Sequence, residues 1–467
     1  MFSTEEYIAR RAKLKELMGS GLVLLMGNEE VGINFEDNIY PFRQDSSFLY
    51  FFGIQTNGLA AIIDLESGEE LIFGDDPSID HIVFSGPIES LQSQAAKVGV
   101  THVKSGTDLS DYLGEAVSKG KKVHYLPPYR AEHALKLTDL LHVPTSKLKE
   151  QSSTELIKAI VQLRTIKSEA EVVEIEKALN VTVDMHYKAM EMAQPLIKES
   201  DVYGAVSQIA LAKGVGTSFP PIVTINGQIL HNHYRGNELK EGDMLLCDCG
   251  AEIASGYAGD LTRTFPVSKK FSKDQKEIYN IVFEAYSTAV ALLKPGRLFL
   301  DVHLAACEKI VEGLIAFGLM KGNAKEAVAE GAHTMFFQCG LGHMLGLDVH
   351  DMENLGEQYV GYTDTLKQRT DFGFRSLRLG RALEEGMVVT VEPGIYIIPE
   401  LIDLRKKEGK YLDFVNYEML EKYRDFGGIR IEDVFLITPE EGGRILGNRL
   451  PGSAAEIEEF MLSHQRL

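Results

Sequence analysis

Five residues placed far apart in the chain limit its fold more than anything else in it: Asp248, Asp260, His343, Glu392 and Glu432. Each lies in or at the end of an apolar run, as Asp248 does in LLCDCG and Glu432 in GIRIEDVFLI. An isolated charge in such a place is costly and seldom tolerated without a partner. A fold that accommodates all five therefore has reason to bring them together. Four carboxylates and one imidazole form an oxygen-rich shell that suits hard divalent ions such as Mn²⁺. Ions held this way point to hydrolysis by activated water.

The local patterns support that convergence. GDMLLCDCGAEIASGYAGDLTRTFPV (residues 242–267) reads as two strands joined by a Gly-rich turn, with Asp248 inside the first and Asp260 opening the second. A hairpin can set the two carboxylates side by side, where mutual repulsion would make one retain its proton unless cations intervene. LGHMLGLDVHD (341–351) places His343 and His350 near Asp348 and Asp351, flanked by glycines that permit close backbone approach. MVVTVEPGIYI and GGIRIEDVFLI each end an apolar strand near a glutamate, Glu392 and Glu432. Arg430 alternates onto the face of Glu432, so an ion pair between them is a competing explanation for that one acid. Cys247 and Cys249 flank Asp248 and share the opposite face of its strand, as plain core thiols.

At 467 residues the chain exceeds what one core usually serves, and a polar stretch, KLKEQSSTE, marks a boundary. The expected division is an α/β domain over 1–152 and a second domain over 153–467. In the first, GLVLLMG, LAAIID, ELIFG and KKVHYLP read as strands. PFRQDSSFLYFFGI reads as a core strand entered from a polar loop, or as a wall of the active site. Ser168 and Glu171 resemble a capping box opening a helix that carries Val172, Ile175 and Leu179 on one face. The N-terminal segment reads as an amphipathic helix without a secretory core. No apolar run reaches the roughly 20 residues that span a bilayer. A net charge of −20 argues against nucleic acid and anionic membrane surfaces. The four cysteines require no oxidising compartment, and a cytoplasmic location is expected.

These five residues, in this order and in these motifs, resemble the pita-bread-fold metallopeptidases, and within them the Xaa-Pro aminopeptidases (aminopeptidase P) and prolidases. FRQDSSFLYFFG is similar to the creatinase/aminopeptidase P N-terminal domain, and LRTIKSEAEV to the entry into the catalytic domain. The resemblance implies an α+β pita-bread catalytic domain with two divalent ions, Mn²⁺ first and Co²⁺ or Zn²⁺ as alternatives. Asp248 would chelate one ion, His343 and Glu392 one each, and Asp260 and Glu432 would bridge. Glu392 would also be the general base. His350 would contact substrate and stabilise the developing oxyanion. His231, with His233 as its rival, would shuttle a proton or hold substrate, and Arg378 and Arg430 complete the substrate-side set.

The implied substrates are proline-containing peptides, and the implied assembly is a homodimer or tetramer. Three departures stand out. The interval from Asp248 to Asp260 is one residue longer than is usual in the family, and Cys339 stands where relatives often carry histidine. The stretch from Tyr396 to Gly427 reads as a long loop. That loop and Arg378 favour a prolidase, which anchors a dipeptide's carboxylate. GYAGDLTRTFPV and FRQDSSFLYF favour the aminopeptidase, which is the expected activity. A metal-free creatinase-like enzyme and a non-catalytic peptide-binding protein are the remaining alternatives, and both would be expected to lack ligands.

Overall fold

The computed structural model describes residues 2–440 and 442–463. Contacts divide the chain into two compact units, one running through Arg164 and including Met352–Tyr359, the other holding Thr165–Asp351 and the chain from Val360 on. No helix among the described residues is long and apolar enough to cross a membrane.

The first unit is built on a mixed five-stranded sheet of order β4-β3-β2-β1-β5. Its strands are β1 (Leu22–Met26), β2 (Ala60–Asp64), β3 (Glu70–Phe73), β4 (His102–Lys104) and β5 (Val123–His124). Alternate residues Leu22, Leu24 and Met26 of β1 share a core with Leu109 and Leu113 of one helix and Leu137 of the next. All of β1 is buried, as the unbroken apolar run predicts for a central strand.

The aromatic segment differs from its expected strand: Ser46–Phe52 is a helix of seven residues, every one buried. Asp45 caps it by accepting from the Phe48 N–H, and Gly53 ends it in the left-handed region. So short a helix is not stable alone. Arg10 and Arg11, both buried on helix Thr4–Leu17, donate to its last-turn carbonyls at Tyr50 (3.0 Å) and Phe51 (2.9 Å).

The second unit holds β6 (Gly216–Thr217), β7 (Ile222–Thr224), β8 (Met244–Cys249), β9 (Ala251–Glu252) and β10 (Leu261–Pro266). Later in the chain come β11 (Val388–Val391), β12 (Gly394–Tyr396), β13 (Gly428–Arg430), β14 (Asp433–Thr438) and β15 (Gly442–Ile445). They form two antiparallel three-stranded sheets, β10-β8-β7 and β11-β14-β15, and the pairs β12-β13 and β6-β9. Two helix pairs pack beside them: Glu169–Met192 with Glu199–Lys213, and Lys273–Ala291 with Phe299–Phe317. Together the units give the α/β and α+β architecture expected from the sequence.

Ser168 and Glu171 form the expected capping box, and Val172, Ile175 and Leu179 are buried. The stretch after Tyr396 is not a loop. It contains helix Pro399–Glu408, opened by Pro399 and closed by the left-handed Gly409, and a second short helix, Tyr417–Leu420.

Candidate active site

The hairpin expected around Asp248 forms as β8 paired with β10, with Asp248 opposite Thr262 and Asp260 just before β10 begins. The backbone of Glu432, between β13 and β14, bridges to Thr262 through its N–H (3.0 Å). The Thr262 hydroxyl then donates to Glu432 Oε2 at 2.7 Å. On the other side, β11 runs against the segment 341–344. Glu392 N–H donates to the Leu341 carbonyl (2.7 Å), and Thr390 N–H to that of His343 (2.9 Å). A side chain at Gly342 would collide with the Thr390 carbonyl, so only glycine allows this approach. Two backbone clamps thus hold the acids and the imidazole at fixed positions.

The resulting cavity, of about 440 Å³, is lined by all five predicted residues. His231, His233, His350, Arg378, Arg430 and Cys339 line it too. Oxygen or nitrogen atoms of Asp260, His343 and Glu432 all lie within 4.8 Å of one another. His343 Nδ1 sits 3.0 Å from the Met344 carbonyl, which can only accept, so Nδ1 carries the proton. The lone pair on Nε2 then faces Asp260 Oδ2 and Glu392 Oε1, each 3.5 Å away. The His343 and His350 rings meet edge to face at 4.4 Å.

The electrostatics fit cations. Among the described residues, the buried oxygens Asp248 Oδ1, Asp260 Oδ1 and Glu432 Oε1 have no hydrogen-bond partner. Each such atom is costly unless something positive completes it. Burial, followed by the charges of Asp248 and Glu392, holds Asp260 well above the usual carboxylate range. Burial and then Asp260 and Glu392 do the same to Glu432. A lone pair and a set of carboxylates pointed at one another is the donor set that hard divalent ions take.

Arg430 does not pair with Glu432. Its guanidinium contacts Asp248 Oδ2, with Nη1 donating to the Tyr396 hydroxyl (2.9 Å) and Nε to Thr262 (3.3 Å). The strand geometry explains the difference: the chain breaks out of β13 after Arg430, so simple alternation does not carry through to Glu432. Burial and then Arg430 lower the pKa of His231, which also feels Asp248, Arg378 and His350. Cys339 is pushed up to about 12 by burial and the Glu392 charge, so it is a thiol.

Sequence reasoning missed Thr262, Thr390 and Tyr396. The alternation of Asp260, Thr262 and Thr264 along one strand face was the available signal for the first. Asp351 is not part of the cavity lining. It makes a buried ion pair with Lys167 at 2.8 Å.

A family model described as metallopeptidase family M24 matches residues 173–439, and one for the aminopeptidase P N-terminal domain matches residues 7–125. The chain is 33% identical to a probable Xaa-Pro aminopeptidase of Fusarium vanettenii, over 90% of this chain and 88% of that protein. It is 30% identical to the Xaa-Pro aminopeptidase of Escherichia coli, over 99% of both. It is also 30% identical to the Xaa-Pro dipeptidase of Rattus norvegicus, over 97% of this chain and 91% of that protein. Among solved structures, zinc-substituted E. coli aminopeptidase P in complex with product is similar with a TM-score of 0.82 and 29% identity, covering 100% of each chain. With its acids and imidazole gathered in one cavity, the chain belongs to metallopeptidase family M24, and its N-terminal unit is of the aminopeptidase P type.

Proposed function

We propose that the protein is a metal-dependent exopeptidase that hydrolyses the Xaa-Pro bond at the N-terminus of peptides. The observation that carries this reading is the cavity in which Asp248, Asp260, His343, Glu392 and Glu432 converge, three of them with a buried oxygen left unpartnered. These five would hold two divalent ions, with Asp260 and Glu432 shared between them and Asp248, His343 and Glu392 serving one each. Mn²⁺ suits the oxygen-rich shell best, with Co²⁺ or Zn²⁺ able to replace it. Bound there, the ions supply Lewis acidity and lower the pKa of water.

The chain's own residues do the rest. Glu392, partly open to the cavity, takes the proton from the attacking water and passes it on. His350, against His343, donates to the oxyanion as the carbonyl carbon becomes tetrahedral. His231 holds the substrate and relays a proton on the opposite wall. Arg430, spent on Asp248, Tyr396 and Thr262, acts on the substrate only by fixing Asp248. The peptide nitrogen of proline carries no hydrogen, so recognition depends on the ring and on the carbonyl before it. A preformed pocket meets that requirement.

The dipeptidase reading is favoured by one observation: Arg378 lines the cavity, where a guanidinium can anchor a dipeptide's carboxylate. Metal-loaded enzyme given Ala-Pro beside Ala-Pro-Ala decides between them. The aminopeptidase cleaves the longer peptide, and cleavage of Ala-Pro alone would make the protein a prolidase. The same reading carries a homodimer or tetramer in the cytoplasm, which light scattering and cell fractionation test directly.

A further inference from the structure

A second group of metal-ligating side chains lies in the same unit, apart from the carboxylate cavity. His303 and Cys307 stand four residues apart on helix Phe299–Phe317 and therefore share a face. His333, on the short turn Ala332–Met335, faces them. Their ligand atoms lie within 4.8 Å of one another, and His303 Nε2 is 3.5 Å from Cys307 Sγ. All three residues are buried, at 1%, 0% and 1% exposure. Among the described residues, Nδ1 of His303 and Nδ1 of His333 have no hydrogen-bond partner. Phe337 and Phe374 wall the group, with ring centroids 5.6 and 5.7 Å from His303.

Two buried imidazoles whose ligand atoms close on one thiol, each with an Nδ1 that makes no hydrogen bond among the described residues, form a ready coordination set in an aromatic shell. We propose that His303, Cys307 and His333 bind one soft monovalent cation, Cu⁺, independently of the divalent ions at the carboxylates. The choice of ion follows from charge. One thiolate and two neutral imidazoles around Cu⁺ sum to zero, whereas a divalent ion would leave a net positive charge in an apolar pocket. The guanidinium of Arg369, stacked 3.6 Å over the Phe374 ring, makes that excess charge still less favourable. Softness sorts the metals the same way: thiolate and imidazole take Cu⁺, while the oxygen-rich cavity takes hard ions. Binding releases the Cys307 proton to solvent, and no electron moves.

The other buried cysteine–histidine group, His186 with Cys247 and Cys249, does not qualify. It holds one imidazole rather than two, and the His186 Nε2 that lies 3.5 Å from Cys249 Sγ is already committed to the Leu261 carbonyl at 2.9 Å.

The test uses the full chain, both produced in copper-supplemented cells and incubated anaerobically with Cu⁺ after purification. Each sample is challenged with a Cu⁺-specific chelator and its retained copper counted. One equivalent per chain is expected in at least one preparation, unaffected by excess Mn²⁺. Cys307→Ser and His333→Phe should each weaken retention more than ~100-fold, since loss of even outer partners of a ligand costs about 10–100-fold. Cys339→Ala should retain the full equivalent. Near-native circular dichroism qualifies each variant, and either ligand variant alone suffices for the comparison. Copper stripped equally from wild type and variants, or a site at Cys307 that takes Zn²⁺ and not Cu⁺, would overturn the proposal.

Discussion

Glu392 keeps a fifth of its side chain exposed, 20%, while Asp260 keeps 7%. That difference leaves Glu392 the more accessible of the two from the cavity, as a base acting on water would need. Glu392→Gln should lower kcat by about 10²–10⁴-fold, the range for loss of a general base, with an unchanged melting temperature. His350→Ala should lose activity and keep its metal, as elemental analysis would show. A residue outside the cavity lining bears on stability in acid. Burial holds His186 near pKa 3, far below the ordinary value of about 6.5. The unfolded chain therefore binds the proton first as pH falls below about 6.5, and stability drops until the folded value is reached. Between pH 7 and 5 this one group should cost about 2 kcal/mol. Urea melts at the two pH values should show the loss shrinking by that amount in His186→Leu. At this scale the five residues that meet in the cavity were legible because acids in apolar runs are rare. The threonine and tyrosine partners were not, since hydroxyls are common in strands and only the bridge at Glu432 gives Thr262 its task.

Elements were legible where burial is one-sided. The capping box at Ser168 and the hairpin at Asp248 declare themselves through spacing. Ser46–Phe52 does not, because a helix buried on every face has no period, and its aromatic residues favour strands equally well. Its true signal was the cap at Asp45 and the glycine at 53. The helix Pro399–Glu408 went unread for the opposite reason: it is rich in charge and buries little, relying on local pairs such as Arg405–Glu408 (2.7 Å). One tie between elements has a sharp consequence. Lys167 and Asp351, both 1% exposed, join the strand-free entry to the second unit to the segment that carries His343 and His350. Lys167→Ala leaves a buried carboxylate without its cation and should cost about 3–5 kcal/mol, read from the urea midpoint. The restoring variant, Lys167→Ala with Asp351→Leu, should recover much of it.

Two units were legible in the whole molecule because length demanded them, whereas contacts divide the chain after Arg164 rather than in the polar stretch near residue 150, and place Met352–Tyr359 in the first unit. The metal site couples to the stability of the second. Without metal, Asp260 and Glu432 have raised pKa values, so the folded protein holds their protons beyond the unfolded value of about 4. Stability of the metal-free protein then falls as pH rises above about 4, toward the raised values, and ions that replace the protons restore it. Mn²⁺ added at 100 times its Kd at pH 5.5 should contribute about 2.7 kcal/mol there, and the same concentration should contribute more at pH 8, measured as a shift in Tm against a chelator control. The first unit also contains Met352–Tyr359, with Met352 and Leu355 buried, although the chain on either side belongs to the second. The backbone thus passes between units three times, near residues 164, 351 and 359. A gene cut after residue 164 would strand those eight residues from their packing partners directly beyond His350 and Asp351. The N-terminal unit is accordingly no detachable accessory: its removal takes away the unit to which the chain directly after Asp351 belongs.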